Sequence, residues 1–383
     1  MPKVLVVDND PDFHHVCENC AGQTTEMGEH SFIYAQNDEA ALGLIQEHTD
    51  IDLAIVSIDG GDISGMGLFK KMEGIRLRVP RVALTAGRDL AAIRKAMNEG
   101  AADFLTKPVD REDLLLTIDK VYKDCEARRA AWRNEAQLSA IKRELDIAEN
   151  IQRQILPSIF PTRDELEISA HLAPAKRMSG DFYDTFDLED DKIGLAVADV
   201  SGKGIPAAFF MAVARTLLRA TAPSSPSPAV CLERVNDLLC EHEITSMFVS
   251  VFYCVVDTKS WEVTYSNGGH LPPYLVNAEN AKDAIALEGG EGIILGVQEG
   301  MPFENSTCQL NEGDAIFFYT DGVTEAFDKD RNQFSEERLI DYLLENRSLS
   351  AHALSENLFA FVNDFRAGAD QNDDFTSLVL KRF

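Results

Sequence analysis

The 383-residue chain predicts a multidomain protein. It has an α/β doubly wound domain with five parallel strands, a long helical linker, and a domain of two antiparallel β-sheets flanked by helices. Three observations carry this. Short apolar runs alternate with helix-like segments up to about residue 110. The stretch from Asp110 to Leu156 holds neither Pro nor Gly. Beyond Pro161 the strand-like runs come in succession rather than alternating with helices, which favours antiparallel sheets. The chain is also too long for one hydrophobic core. The boundaries that follow are 1–122, 123–157 and 158–383.

In the first domain Val4–Val7, Phe32–Ala35, Leu53–Ile58, Val82–Leu84 and Phe104–Leu105 read as buried strands. Asp38–Glu47, Gly65–Met72 and Leu90–Glu99 read as helices between them. Ligands of such folds bind at the carboxyl ends of the strands, which singles out Asp8, Asn9, Asp10, Ser57, Thr85 and Lys107. In the linker, Ile118, Val121 and Cys125, then Leu138, Ile141, Leu145, Ala148, Ile151 and Ile155, recur at three- and four-residue steps. That is a long helix with an apolar seam, interrupted by polar residues around 128–135 and ended by Pro157 and Pro161. So long and charged a helix is expected to dock on a domain or pair with a second copy, giving a homodimer.

The second domain offers strands at Glu167–His171, Ile193–Ala198, Phe248–Val256, Val263–Ser266, Ala315–Tyr319 and Ser377–Leu380. Helices are expected at Pro206–Ala220, Ala229–His242, Glu336–Leu344 and Ala351–Phe365, with Pro206 suited to a first helical turn. Residues 222–228 and 288–292 read as loops.

A formal charge of −28 weighs against nucleic acid as a partner, because phosphate backbones are held by Lys and Arg. It suits solubility, basic protein partners or sites built for cations. No apolar run approaches the ~20 residues of a membrane span, and the apolar stretch that ends at Asp8 is too short for a signal peptide. A cytoplasmic location away from membranes is expected. The seven cysteines include a C-x-x-C at Cys17 and Cys20, with no second pair nearby to complete a zinc site. They read as small apolar residues on a helix.

Four acidic clusters in the second half each end a strand or sit in a tight turn. They are Gly180-Asp181-Phe-Tyr-Asp184, Asp199-Val-Ser-Gly-Lys-Gly204, Thr320-Asp321-Gly-Val-Thr-Glu325 and Asn372-Asp373-Asp374-Phe-Thr376. Singly, such clusters are ordinary turn punctuation or solvated surface. Four carboxylates converging from strand ends would repel one another unless cations neutralise them. All-oxygen sites suit Mg²⁺ or Mn²⁺, and two such ions can activate water and clamp a phosphoryl group. His270 in Asn-Gly-Gly-His-Leu-Pro-Pro reads as a residue that fixes a turn. Lys176 and Arg177 are either a lure for a phosphoprotein or a solvated pair.

The pieces GDFYD, DVSGKGIPAAFFMA, NGGHLPPYL, YTDGVTEAF and DDFT, in that order from about Glu167 to the C-terminus, resemble the metal-dependent serine/threonine phosphatases of the stage II sporulation type. The resemblance implies that Asp199 bridges two Mg²⁺ or Mn²⁺ ions, with the Val200 carbonyl as a further ligand. Asp181, Asp321 and Asp373 would supply the other carboxylates, and Asp374 and Asp184 secondary or third-metal groups. The nucleophile would be a metal-bound water, so no side-chain nucleophile is assigned. Eukaryotic relatives place a His just after the bridging Asp turn; Ser201 stands there in this chain, which leaves the leaving-group proton without a side-chain source.

VLVVDND, DLAIVS, LTAGRD and DFLTKPV, within residues 2–122, resemble a chemotaxis-type response-regulator receiver. Thr85 and Lys107 match that family's phosphate-contacting pair, and Lys107-Pro108 its cis-peptide junction. The phosphoacceptor position falls on Ser57 and one of the usual acidic pair on Asn9. A serine without a base beside it is a poor nucleophile at neutral pH. Asp59 could replace it only by a shift of register, so the domain reads as an interaction module. Taken together, the resemblances imply a receiver-regulated phosphoserine/phosphothreonine phosphatase acting on an anti-sigma-factor antagonist. The alternative is a non-catalytic adaptor that binds a sigma factor or its regulator.

Overall fold

The computed structural model describes residues 2–21, 24–25, 28–59, 65–75, 79–87, 90–241, 247–277 and 284–383. The chain divides into two compact units, Met1–Ala140 and Ile141–Phe383.

The first unit alternates β1 (Lys3–Val7), α1 (Pro11–Cys20), β2 (Ser31–Ala35), α2 (Asp38–Glu47), β3 (Leu53–Ser57), α3 (Met66–Ile75), β4 (Arg81–Thr85), α4 (Leu90–Asn98) and β5 (Asp103–Thr106). A two-residue ribbon, Thr24–Thr25 with Gly28–Glu29, is left out of this numbering. The strands pair in parallel in the order β2-β1-β3-β4-β5, the doubly wound sheet that the sequence predicts. Leu5, Val7, Ala54 and Val56 pack under α2, α3 and α4. Val4, Val6, Leu53 and Ile55 pack on the other face with Phe13, Cys17 and Cys20 of α1. Burial on both faces is why these strands are continuous apolar runs. Cys17 and Cys20 are core residues, and burial pushes the Cys17 thiol up to about 12.

Helix α5 (Arg111–Ile155) is one uninterrupted 45-residue helix. The break expected around 128–135 does not occur. Those residues are good helix formers, and Glu126 pairs with Arg129 at 3.0 Å and Arg133 at 4.0 Å along the solvated surface. Its early residues Leu114, Ile118 and Val121 belong to the first unit's core. Leu138, Ile141, Ile147 and Ile151 are exposed.

The second unit is a four-layer sandwich of helices, sheet, sheet and helices. Its strands are β6 (Leu166–Ala173), β7 (Phe182–Leu188), β8 (Lys192–Val200), β9 (Val249–Asp257), β10 (Glu262–Gly268), β11 (Tyr274–Val276), β12 (Ala284–Ala286), β13 (Ser306–Gln309), β14 (Ala315–Tyr319) and β15 (Phe375–Arg382). One antiparallel sheet runs β13-β10-β9-β8-β7, the other β12-β11-β14-β15-β6. Ile193, Leu195, Val197, Phe252 and Cys254 of the first sheet meet Ile168, Ile316, Phe318, Leu378 and Leu380 of the second. Helices α6 (Ile205–Thr221) and α7 (Pro228–Glu241) cover the outer face of the first sheet. The short α8 (Asp321–Thr324) follows β14, and α9 (Ser335–Glu345) and α10 (Ala351–Arg366) cover the second sheet. The predicted end of α7 at His242 lies outside the described residues.

Two expectations need correction. β7, β11, β12 and β13 were not predicted; three are only three or four residues long, and β7 carries a buried Asp184 in its middle. Residues Ile205–Ser224 do have the length and apolar composition of a membrane span. Within this fold, Ala207, Phe210, Met211, Ala214 and Leu218 of that stretch are core.

Candidate active site

The alternation of side chains along a strand decides which acidic residues meet. On β8, Ile193, Leu195 and Val197 face the opposing sheet, so Asp199 does too. On β14, Ile316 and Phe318 face inward, and Thr320 continues that parity just past the strand end. Thr376 shares the parity of Leu378 and Leu380 on β15. Asp181 shares that of Tyr183, which packs against the same inter-sheet core. Four polar residues distant in sequence thus converge at one end of the sandwich, between the sheets.

Asp181 is buried, and one carboxylate oxygen accepts hydrogen bonds from Thr320 Oγ1 (2.8 Å) and Thr376 Oγ1 (2.6 Å). Its carboxyl is in hydrogen-bonding contact with that of Asp199. Asp321 opens α8, close enough to Asp199 and Asp373 for mutual repulsion. Gly322 lets this happen. A Cβ there would lie 1.9 Å from the Asp374 carbonyl oxygen, so only glycine permits α8 to lie against the 373–374 backbone. Asp373 is paired with Lys203 Nζ at 2.8 Å, and the same ammonium donates to the Asn372 carbonyl at 2.5 Å. Gly180 approaches the Val200 carbonyl closely enough that an added Cβ would stand 3.1 Å from its oxygen.

Burial, then the Asp199 and Asp374 charges, raises the Asp181 pKa well above the carboxylate range. Burial and Asp321 push Asp199 up to about 7. Burial and Asp373 push Asp321 up to about 6, with Lys203 pulling the other way. Desolvated like charges are the cause throughout, and a bound cation would relieve them. Among the described residues no three Asp, Glu, His or Cys side chains close around a single point; the carboxylates form a group in which Asp199 feels Asp181, Asp321, Asp373 and Asp374.

Asp374 is buried, and its two oxygens are taken by Ala175 N (2.7 Å), Ser179 Oγ (2.8 Å) and Gly180 N (2.8 Å). It ties the loop before Asp181 to the segment carrying Asp373. Asp184 is not part of this group. Its even parity on β7 turns it under α6, where it pairs with Arg215 at 3.0 Å and Arg219 at 2.7 Å. Thr320, Thr376 and Ser179 are the contributors that sequence reasoning missed. The two threonines lay inside the quoted motifs, but no local pattern marks a hydroxyl whose partner is 139 or 195 residues away.

His270 is a structural bridge. Its Nδ1 accepts from Ser250 Oγ at 2.8 Å and its Nε2 donates to the Tyr319 carbonyl at 3.0 Å, joining the sheets just before Asp321. Burial lowers its pKa to about 4, keeping it neutral. Asn267 clasps the turn through both the N–H (2.7 Å) and carbonyl (2.9 Å) of His270. Ser201 extends the β8–β9 ladder, its Oγ accepting from Phe248 N at 3.0 Å. Arg177 pairs with Asp146 of α5, while Lys176 is exposed.

In the first unit Asp8, Asp10, Ser57, Thr85 and Lys107 gather at the carboxyl edge of the sheet. Lys107 Nζ lies 2.5 Å from Asp8 and 3.1 Å from Asp10, and this bond holds Asp10 below the usual carboxylate range. Asn9 is exposed. Lys107-Pro108 is cis. Ser57 is buried, in unshifted register opposite Leu84. Asp59 lies beyond the strand, exposed, and accepts the Ala86 N–H.

Residues 189–383 match the family model of stage II sporulation protein E, about half of the chain. The chain belongs to the SpoIIE family. Residues 4–119 match the response regulator receiver domain, so the protein is a receiver fused to a SpoIIE-type phosphatase domain. It is 32% identical over 246 residues to phosphoserine phosphatase RsbU of Bacillus subtilis, covering 63% of this chain and 71% of the relative. It is 28% identical over 269 residues to protein IcfG of Synechocystis, covering 62% of this chain but only 41% of that longer relative. Among solved structures, the RsbU and RsbW domains of Rv1364c from Mycobacterium tuberculosis align with a TM-score of 0.51 and 28% identity over 60% of this chain and 63% of that one. The SiaA-PP2C domain of Pseudomonas aeruginosa aligns at 0.57 and 22% over 65% and 99%, a likeness of fold. Asp181 precedes the residues matched to the SpoIIE model; its place in the site comes from the strand geometry.

Proposed function

We propose that the SpoIIE domain is a divalent-metal-dependent phosphoserine/phosphothreonine phosphatase. In this reading Asp181, Asp199, Asp321, Asp373 and the Val200 carbonyl hold two Mg²⁺ or Mn²⁺ ions, and Asp374 holds the loop that presents Asp181. The observation that carries the proposal is the group of neighbouring carboxylates whose charges are suppressed by burial and by one another. The donor set is all oxygen, as hard cations require. Mg²⁺ retains several waters and takes one or two carboxylates, so neighbouring carboxylates fit such ions without a three-carboxylate cage. Bound there, the ions supply an activated water and neutralise the phosphoryl group.

The chain's own residues complete the chemistry. Thr320 and Thr376 fix one oxygen of Asp181 and thereby hold its carboxyl beside Asp199. Lys203, partly exposed at the rim, offers an ammonium to a phosphoryl oxygen. Ser201 Oγ accepts from Phe248 N in the ladder, and a hydroxyl is too weak an acid at neutral pH to stand in for an imidazolium, so solvent protonates the departing serine or threonine oxygen. With Mn²⁺ and an aryl phosphate or a phosphoserine peptide, hydrolysis is expected to vanish with EDTA and to fall by more than ~100-fold in Asp199→Asn, since even outer-sphere changes at metal sites cost 10–100-fold. Equal rates for the two proteins would instead favour an adaptor that binds a sigma factor or its regulator. Family resemblance supports a phosphorylated anti-sigma-factor antagonist as the physiological substrate. The free state of all seven cysteines suits a reducing, cytoplasmic setting.

The receiver is read as a protein-gated module. Ser57 stands where an acceptor carboxylate would be needed, and Asp8 and Asp10 at the same edge are paired with Lys107. Incubation with acetyl phosphate and Mg²⁺ is expected to leave no acid-stable, hydroxylamine-labile label. A label lost in Asp59→Asn would overturn this. We further infer that α5 pairs two copies through Leu138 and Ile141, exposed at three-residue spacing. Sedimentation should give a dimer that Leu138→Glu with Ile141→Glu converts to monomer; a monomeric wild type would contradict it.

A further inference from the structure

We propose that Gln152, on the last turn of α5, is a positioning residue of the phosphatase site. The inference deepens the metal-site reading and rests on it. Of residues 141–155 only Gln152 is buried, at 6% exposure. The seam rhythm Leu138, Ile141, Leu145, Ala148 steps next to position 152, where an apolar residue is expected and an amide is found. A buried amide is tolerated only where its donors and acceptor are matched.

The match is with a single residue. Gln152 Nε2 donates to the Ser179 carbonyl at 2.7 Å, and Oε1 accepts from Ser179 N at 3.0 Å. The amide thus takes both backbone groups of a fully buried residue, as a neighbouring strand would. Ser179 passes the constraint on. Its hydroxyl donates to Asp374 Oδ2 at 2.8 Å and accepts from Asp181 N at 2.9 Å. Asp181 is two residues along the chain, with one oxygen clamped by the two threonines, and Asp374 adjoins Asp373. One side chain from the linker helix therefore sets the loop that presents Asp181 and braces the segment that presents Asp373. Arg177 also ties this loop to α5, through Asp146 and the Lys142 carbonyl (3.4 Å), but from an exposed position where such contacts contribute little. Without Gln152 the buried N–H and C=O of Ser179 have lost their partners, and the loop is driven to rearrange.

Gln152→Met keeps the volume and removes the hydrogen bonds; Gln152→Asn keeps the amide but is too short to span Ser179. Each is compared with wild type and Asp199→Asn in the full chain by thermal melting, by calorimetric Mn²⁺ titration, by aryl phosphate kinetics and by amide hydrogen exchange without metal. Expected for both variants are melting within a few degrees of wild type, faster exchange at 179–181, and Mn²⁺ affinity weakened by ~10–100-fold. The Mn²⁺ concentration for half-maximal rate should rise in step, with KM for the ester little changed. Wild-type exchange at 179–181 and wild-type Mn²⁺ affinity in Gln152→Met would overturn the positioning role while leaving the phosphatase reading intact. A wild type that neither binds Mn²⁺ nor hydrolyses the ester would overturn the phosphatase reading and this role together, even with faster exchange in the variants.

Discussion

Metal-free Asp199→Asn protein is expected to melt several degrees above wild type at pH 8, and to melt below it once Mn²⁺ is in excess. The sign follows from the raised pKa. An unfolded Asp loses its proton near pH 4, whereas Asp199 in the fold holds it up to about 7. Between those values the folded state binds more protons, so this group's contribution to stability falls as pH rises and is at its worst above 7. The full shift would amount to ~4 kcal/mol. About 2 kcal/mol is expected to survive, because Asp199 retains some solvent contact and Asp181 competes for the same proton. At ~2–4 °C per kcal/mol for a domain of this size, the gain is visible in a melting curve. Asparagine removes the buried charge and also a ligand of the proposed cation site, so Mn²⁺ should rescue only wild type; ~100-fold excess over the dissociation constant is worth ~2.7 kcal/mol. Protons compete for the same oxygens, and the Mn²⁺ needed for half-maximal activity should therefore climb as pH falls from 7.5 to 6. A metal-free variant less stable than wild type at every pH would contradict this account of the carboxylates.

Gly322→Ala should lower activity on the order of 10²-fold, the loss associated with a misplacement of about 1 Å at a reacting centre. The added methyl would meet the Asp374 carbonyl oxygen at 1.9 Å and its carbon at 2.7 Å. Both are backbone atoms, so no rotamer change can make room. Either α8 or the 373–374 segment must move, and in both cases Asp321 and Asp373 part. Overpacking of this sort costs about 1–3 kcal/mol. Gly43→Ala is the control, since a Cβ there meets nothing within 4 Å and alanine favours a helix. Wild-type turnover and melting in Gly322→Ala would mean that the two segments are not packed as described.

The parts legible in the sequence were those whose physics is local. Receiver strands β1, β3 and β4 and strand β14 are buried on both faces, so they stand out as unbroken apolar runs. Asp199 and Asp321 were visible because each immediately follows such a run. Less was visible at the sheet edge. β7 lies at the end of its sheet, and its Asp184 resembled a site residue, while only parity shows that it turns under α6 to two arginines. Thr320, Thr376, Ser179 and Gln152 were not legible, because each is an ordinary polar residue until the fold brings its partner. The linker was half legible. Its helical composition is plain, but a stretch exposed all round, as residues 130–140 are, reads as an interruption of the seam.

The central claim is that Asp181, Asp199, Asp321 and Asp373 together hold divalent cations. Diffraction at the manganese absorption edge from crystals grown with Mn²⁺ tests it most directly. The account predicts two anomalous peaks among these four carboxylates, with Lys203 drawn away from Asp373. A clean map with no peak there, the ammonium still seated on Asp373, would contradict it.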